Sequence, residues 1–168
     1  MACLSMPLDE CDQRHLERAE GYAALGMFLE ANEELEEIRP DVRHVPEVLL
    51  IRMAIYQGTA RWSAMAVVAN RLVEFDPSEP AYFINLAYAV RRSESLNSAH
   101  AVLQRAEEFH PADAHIQFNL ACYEAQLGNI ERAKSHVARA IRKDIRFRQL
   151  ALEDPDLEPL WDQLRSIE

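Results

Sequence analysis

Apolar and small residues along the chain fall into short stripes at helical spacing, and the stripes come in pairs. Phe118, Ala121 and Ala125 share one face; the stripe stops near Gly128, and a second runs through Ile130, Ala133, Val137 and Ala140. The interruption at Gly128-Asn129 suits a helix end, because Gly and Asn tolerate the left-handed conformation found there. The elements predicted are helical hairpins: a helix, a tight turn and a second helix.

The hairpin recurs every 34 residues. Pro77 and Pro111 stand at that separation, as do Pro46 and Pro80, and Gly26 and Gly128 lie three periods apart. Cutting the chain at this period gives units 12–45, 46–79, 80–113 and 114–147. Small or slender residues then align as Ala19, Met53, Ala87 and Ala121, and again as Ala31, Met65, Ala99 and Ala133. Bulky residues align as Phe28, Trp62, Leu96 and Ile130; two more apolar columns are Leu35, Ala69, Leu103, Val137 and Ile38, Leu72, Ala106, Ala140. A turn column reads Gly26, Ala60, Glu94, Gly128. Small residues let paired helices approach closely, and bulky ones fill the gaps between pairs. Pro77 and Pro111 close second helices, whereas Pro80 opens a first helix, where a missing N–H costs little.

The period, the Leu86-Ala87 and Leu120-Ala121 pairs, Tyr22 and Tyr56, the Gly–x–bulky turn and the closing Pro together resemble the tetratricopeptide repeat family. The resemblance spans about 136 of the 168 residues. It implies an all-α fold, a right-handed α-solenoid of stacked helix–turn–helix units whose first helices line a concave face. Departures occur in the first unit, with Arg43 at the closing Pro and Pro40 displaced upstream, and in the fourth, with Ile145 there. In the second, Ala60 replaces the turn Gly and Met65 the small Ala, so an opened or distorted hairpin is expected. Residues 1–11 read as a lead-in. Residues 148–168 break phase: Asp154-Pro155 ends one short helix, Asp156 caps the next, and Leu157, Leu160, Trp161 and Leu164 share a face. A terminal repeat must hide its outer apolar surface, so this segment is expected to cap the array.

Composition agrees with the helices and narrows the function. Nearly half the residues are hydrophobic, and only 4 are Gly. A net charge of −10 disfavours nucleic acid as a partner. The charge is uneven: residues 1–45 carry −7, residues 114–147 carry +3, and residues 148–168 carry −4. Three Cys, at 3, 11 and 122, form no CxxC pair and read as reduced thiols. The start, MACLSMPLDECDQ, lacks the form of a secretory signal, and no apolar run approaches the roughly 20 residues of a membrane helix. The expected protein is soluble and cytoplasmic, with no membrane partner.

Candidate chemistry is sparse. His110, Asp113 and His115 could form a metal loop, but they fall in an inter-unit turn with no thiol cluster or HExxH, so a metal site is not expected. In EANEELEEI (30–38), Glu30, Glu33, Glu34 and Glu37 face outward with Ala31, Leu35 and Ile38 inward, a solvated face rather than an acid–base pair. Cys122 has no paired His in its helix, and no nucleotide or Ser-hydrolase motif is present. No enzyme activity and no cofactor are expected.

By the resemblance, the groove for a partner is lined by Leu16 and Glu20 in the first unit and Leu50 and Gln57 in the second. Ile84, Asn85, Tyr88 and Arg91 follow in the third, and Phe118, Asn119, Cys122 and Gln126 in the fourth. A clamp for a free C-terminal carboxylate, known in the family, lacks its basic members here, since Leu16 and Glu20 occupy the Lys and Asn positions. An apolar strip edged with amides fits a peptide segment, with Asn85 and Asn119 contacting either ligand or scaffold. The expected function is a non-enzymatic protein–protein interaction module. Two alternatives are a small chaperone for hydrophobic client segments and weak self-association of acidic first units with basic fourth units.

Overall fold

The computed structural model describes residues 8–166. Among them every regular element is helical. The chain divides between Asp76 and Pro77 into two compact bodies.

The first body holds α1 (Glu10–Ala24), α2 (Phe28–Glu37), a 3-10 turn (Pro40–Val42), α3 (Pro46–Gly58) and α4 (Trp62–Phe75). Each consecutive pair packs as a hairpin, and α3 also packs on α1 and α2. The predicted inward residues Ala31, Leu35 and Ile38 have no exposed surface and form one core with Leu16, Ala19, Val42 and Val48. Burying side chains of the Leu and Ile class gives about 1.5–3 kcal/mol each, which drives the hairpins together. α1 starts at Asp9, whose carboxylate accepts the N–H groups of Cys11 and Asp12. Pro46 opens α3 at its first turn.

The first unit's missing closing proline is replaced by a polar tie. Ile38 turns extended after α2, and the buried carboxylate of Asp12 accepts the Arg39 backbone N–H at 3.0 Å and its Nε at 2.8 Å.

The second body holds α5 (Pro80–Ser93), α6 (Leu96–Phe109), α7 (Ala114–Gln126), α8 (Ile130–Lys143), α9 (Arg146–Glu153), a 3-10 segment (Pro155–Leu160) and α10 (Trp161–Ser166). Here α5 pairs with α6 and α7 with α8, and α7 packs on both α5 and α6. Ser95 caps α6 and Asp113 caps α7 through their side-chain oxygens.

The turns carry the sharpest local regularity. At the end of α1, Gly26 N–H donates to Ala23 O and Met27 N–H to Tyr22 O, with Gly26 at φ +74°. The end of α7 repeats this with Gly128 at φ +81°. Both are the paired 6→1 and 5→2 closures of a Schellman turn. The second hairpin keeps the same turn. Ala60 adopts φ +54° and makes the same two bonds, Ala60 N–H to Gln57 O and Arg61 N–H to Tyr56 O. The turn is kept at the cost of a left-handed alanine. Glu94, in the same column, departs: α5 runs on to Ser93, and Glu94 stays at negative φ.

Residues 148–166 pack on α7 as well as on α8, through the 3-10 segment and α9. Asp154, not Asp156, is the cap between the short helices; its carboxylate accepts the Asp156 N–H at 2.9 Å. Leu157, Leu160 and Leu164 are buried, while Trp161 is half-buried and donates its indole N–H to Ala151 O at 3.0 Å.

Candidate functional site: the first-helix face of the second body

The predicted groove residues fall into two sets, one in each body. In the first body Glu20 and Gln57 are exposed and Leu50 is partly exposed, but Leu16 belongs to the core and presents almost no surface.

In the second body α5 carries Ile84, Asn85, Tyr88 and Arg91, all half-buried, and α7 carries Phe118 and Asn119, half-buried, Gln126, exposed, and Cys122, buried. The two helices pack on each other. Asn85 Nδ2 donates to Ala81 O at 2.9 Å and Asn119 Nδ2 to His115 O at 2.8 Å. Each amide therefore spends a donor on its own helix four residues back, in the same way in both. Tyr88 stacks under the Arg92 guanidinium, 3.4 Å from ring centroid to Cζ.

Part of this face is covered by the chain itself. The Phe118 ring lies 5.2 Å from that of Phe147 in α9, and His115 meets Phe147 edge-on at 5.1 Å. Cys122 Sγ donates to Asp154 Oδ2 at 3.5 Å. Arg91 donates Nη1 to Asp156 Oδ2 at 3.0 Å and Nη2 to Gln126 Oε1 at 2.7 Å. Gln126 Nε2 in turn donates to Asp156 Oδ1, closing a three-residue ring of hydrogen bonds. Arg91 also lies over the Tyr123 ring, 5.0 Å from its centroid.

Cys122 is thereby unsuited to nucleophilic work. Burial, then the neighbouring Asp154 carboxylate, pushes its thiol far above the ordinary range, so the thiolate is disfavoured. His110 and His115 are likewise taken up locally: His110 Nε2 lies 2.8 Å from Pro77 O, and His115 packs on Phe147. Among the described residues no group of three or more His, Cys, Asp or Glu is placed to hold a metal ion, and no helix is long and apolar enough to cross a membrane.

A buried polar network behind α7 was not anticipated. Gln117 and Glu124, both almost fully buried, point from α7 toward α6 and α8. Gln117 Oε1 lies 2.7 Å from His136 Nδ1, and its Nε2 donates to Glu107 Oε1 at 2.9 Å, which also accepts from Arg139. Glu124 accepts from Asn129 at 2.7 Å and meets His100 Nε2 at 2.9 Å. Burial opposes its charge, but these hydrogen bonds, with Arg132 nearby, outweigh it and hold the carboxyl below its usual range.

The signal for this network lies in the columns. Gln117 and His136 occupy positions that are Phe83 and Val102 one unit earlier, and Leu49 and Val68 in the unit before that. In the first unit the same two columns hold His15 and Glu34, which also pair, at 2.7 Å. Polar residues enter these columns together or not at all, because one alone would be buried without a partner.

The sequence matches no protein-family model and no curated protein. The fold, in contrast, matches solved structures. The chain is similar to MamA, residues 41 to the end, from Desulfovibrio magneticus RS-1, with a TM-score of 0.73 at 14% identity over 95% of this chain and 94% of that one. A second MamA crystal structure gives 0.70 at 19% identity over 93% and 87%. YrrB, described as a TPR protein with an unusual peptide-binding site, gives 0.67 at 14% identity over 92% and 78%. At these identities the likeness establishes the fold: an all-α, tetratricopeptide-like solenoid of stacked helix–turn–helix elements.

Proposed function

We propose that the protein is a non-enzymatic interaction module that binds a peptide segment of a partner protein on its first-helix surfaces, with the α5–α7 face of the second body as the principal site. One observation carries this reading. That face already holds two side chains of the chain's own segment 154–160, Asp154 and Asp156, on Cys122, Arg91 and Gln126, residues that the family resemblance assigns to the groove. Beside that segment, half-buried Ile84 and Tyr88, the latter carrying Arg92 on its ring, offer apolar area, while Asn85 and Asn119 can pair with a ligand backbone. A peptide-binding site in YrrB, whose fold is similar, supports the reading.

Ile84 and Tyr88 test it, because neither is fully buried. Affinity capture from native lysate with Ile84→Ala/Tyr88→Ala should lose the partner about tenfold or more while the circular dichroism spectrum is kept. Undiminished capture by the folded double variant would reject this face as the site.

A further inference from the structure

The 3-10 segment does more than bury leucines. Capping a terminal repeat requires apolar cover, which Leu157 and Leu160 provide. It does not require that both carboxylates of Asp154-Pro155-Asp156 turn onto the groove face, yet both do: Asp154 reaches Cys122, and Asp156 closes the ring with Arg91 and Gln126. Arg91 comes from α5, 65 residues away in sequence, so the contact joins the segment to a helix that the capped hairpin does not contain.

We propose that residues 154–160, DPDLEPL, are a built-in ligand of the α5–α7 face. A partner segment of the same chemistry, two closely spaced carboxylates followed by leucines, takes their place. This rests on the peptide-binding reading above and specifies its ligand.

Charge complementarity and the partial exposure of the polar anchors favour exchange, while the fully buried Leu157 and Leu160 are what an incoming segment must replace. Arg91 and Asp156 remain 30% and 25% exposed, so water can solvate each partner as the pair opens. The segment is a 3-10 turn between helices of eight and six residues, lengths that hold little structure by themselves. Once it lifts, Arg91 and Gln126 offer a guanidinium and an amide to an incoming carboxylate, and the sites of Leu157 and Leu160 open to apolar side chains. While seated, the tethered segment competes at high effective concentration, so acidic partners bind weakly until it is displaced.

A labelled peptide, EDPDLEPLWDQLR (residues 153–165), tests this on the full chain. Asp154→Asn/Asp156→Asn should loosen the internal segment, seen as faster hydrogen exchange over 155–164. This variant should bind the peptide about tenfold or more tighter than wild type. The same peptide with Asn at the positions of Asp154 and Asp156 should bind about tenfold more weakly, and adding Arg91→Ala to the protein should remove the difference. If exchange shows the segment still seated, Leu157→Ala/Leu160→Ala releases it and is titrated with the same peptides, judged identically. Equal binding of acidic and Asn peptides would overturn the acidic preference but leave a general peptide site intact. No binding of either peptide to a chain whose segment is released would reduce the segment to a cap. The general reading would then stand or fall on the Ile84/Tyr88 capture experiment alone.

Discussion

The ring of Phe28, at the start of α2, lies in the space that a side chain at residue 58 would need, pressed on the backbone of α3 where Gly58 has none. The contact joins two consecutive hairpins of the first body and gives that glycine a packing role. Gly58→Ala should therefore cost about 1–3 kcal/mol by displacing the ring. Helix propensity alone predicts the opposite sign, a gain of up to about 1 kcal/mol. Urea unfolding of the single variant and of Gly58→Ala/Phe28→Ala separates the two: the loss should vanish once the ring is gone. A stabilised single variant would show that the ring yields freely.

Ala60 sits at φ +54° in a turn whose counterparts are Gly26 and Gly128. Ala60→Gly relieves a left-handed alanine and adds flexibility to the unfolded chain, leaving a net gain of about 0.5–1 kcal/mol. Gly128→Ala should lose about 1–2 kcal/mol for the converse reason. Denaturation midpoints at unchanged m-value measure both. An unmoved midpoint in Ala60→Gly would mean the turn is not strained.

Stability should fall in two steps as pH is lowered. Burial holds His136 below the ordinary histidine range against the opposing Glu107 carboxylate, so the folded state resists its protonation. Below about pH 6.5 the unfolded chain takes a proton at that residue which the folded chain refuses, and stability declines. His136→Gln should flatten that first step. The second step belongs to Asp12, lowered chiefly by its hydrogen bond from Arg39, and to Glu124, lowered by Asn129 and His100 despite burial. Their contribution is full above the unfolded carboxylate range near pH 4 and disappears as pH falls through their lower folded values. Thermal melts across pH 3–8 report both steps, and a flat profile between pH 5 and 7 would refute the first.

Cys11 is exposed, whereas Cys122 is buried against Asp154. Iodoacetamide at neutral pH should modify Cys11 and leave Cys122 on the order of a hundredfold slower, as read by peptide mass mapping. Asp154→Asn removes the neighbouring charge and loosens the cover, and should raise the Cys122 rate. Equal native rates for the two thiols would contradict the packing of the 3-10 segment on α7.

The hairpins were legible in the sequence because everything that makes them is local. Helical spacing of apolar residues, prolines at helix starts and glycines at φ-positive turns act within a few residues of one another. Pro46 and Pro80 open α3 and α5, and Ala114 opens α7. Leu16 shows where local reading stops. Its column suggested groove, but the first body buries it, because burial depends on neighbours from other helices rather than on position in a helix.

What tertiary structure alone decided is how polar residues pair across distance. Arg91 and Asp156 lie 65 residues apart, and neither the local pattern nor the repeat columns announce the partner. The segment 154–160 has no periodicity of its own, so sequence could designate it a cap but not place it on α7. Its position follows from two leucines that need burial and two carboxylates that find a thiol, an amide and a guanidinium on one face. Periodic apolar order is a property of the chain; the pairing of isolated charges is a property of the folded surface that brings them together.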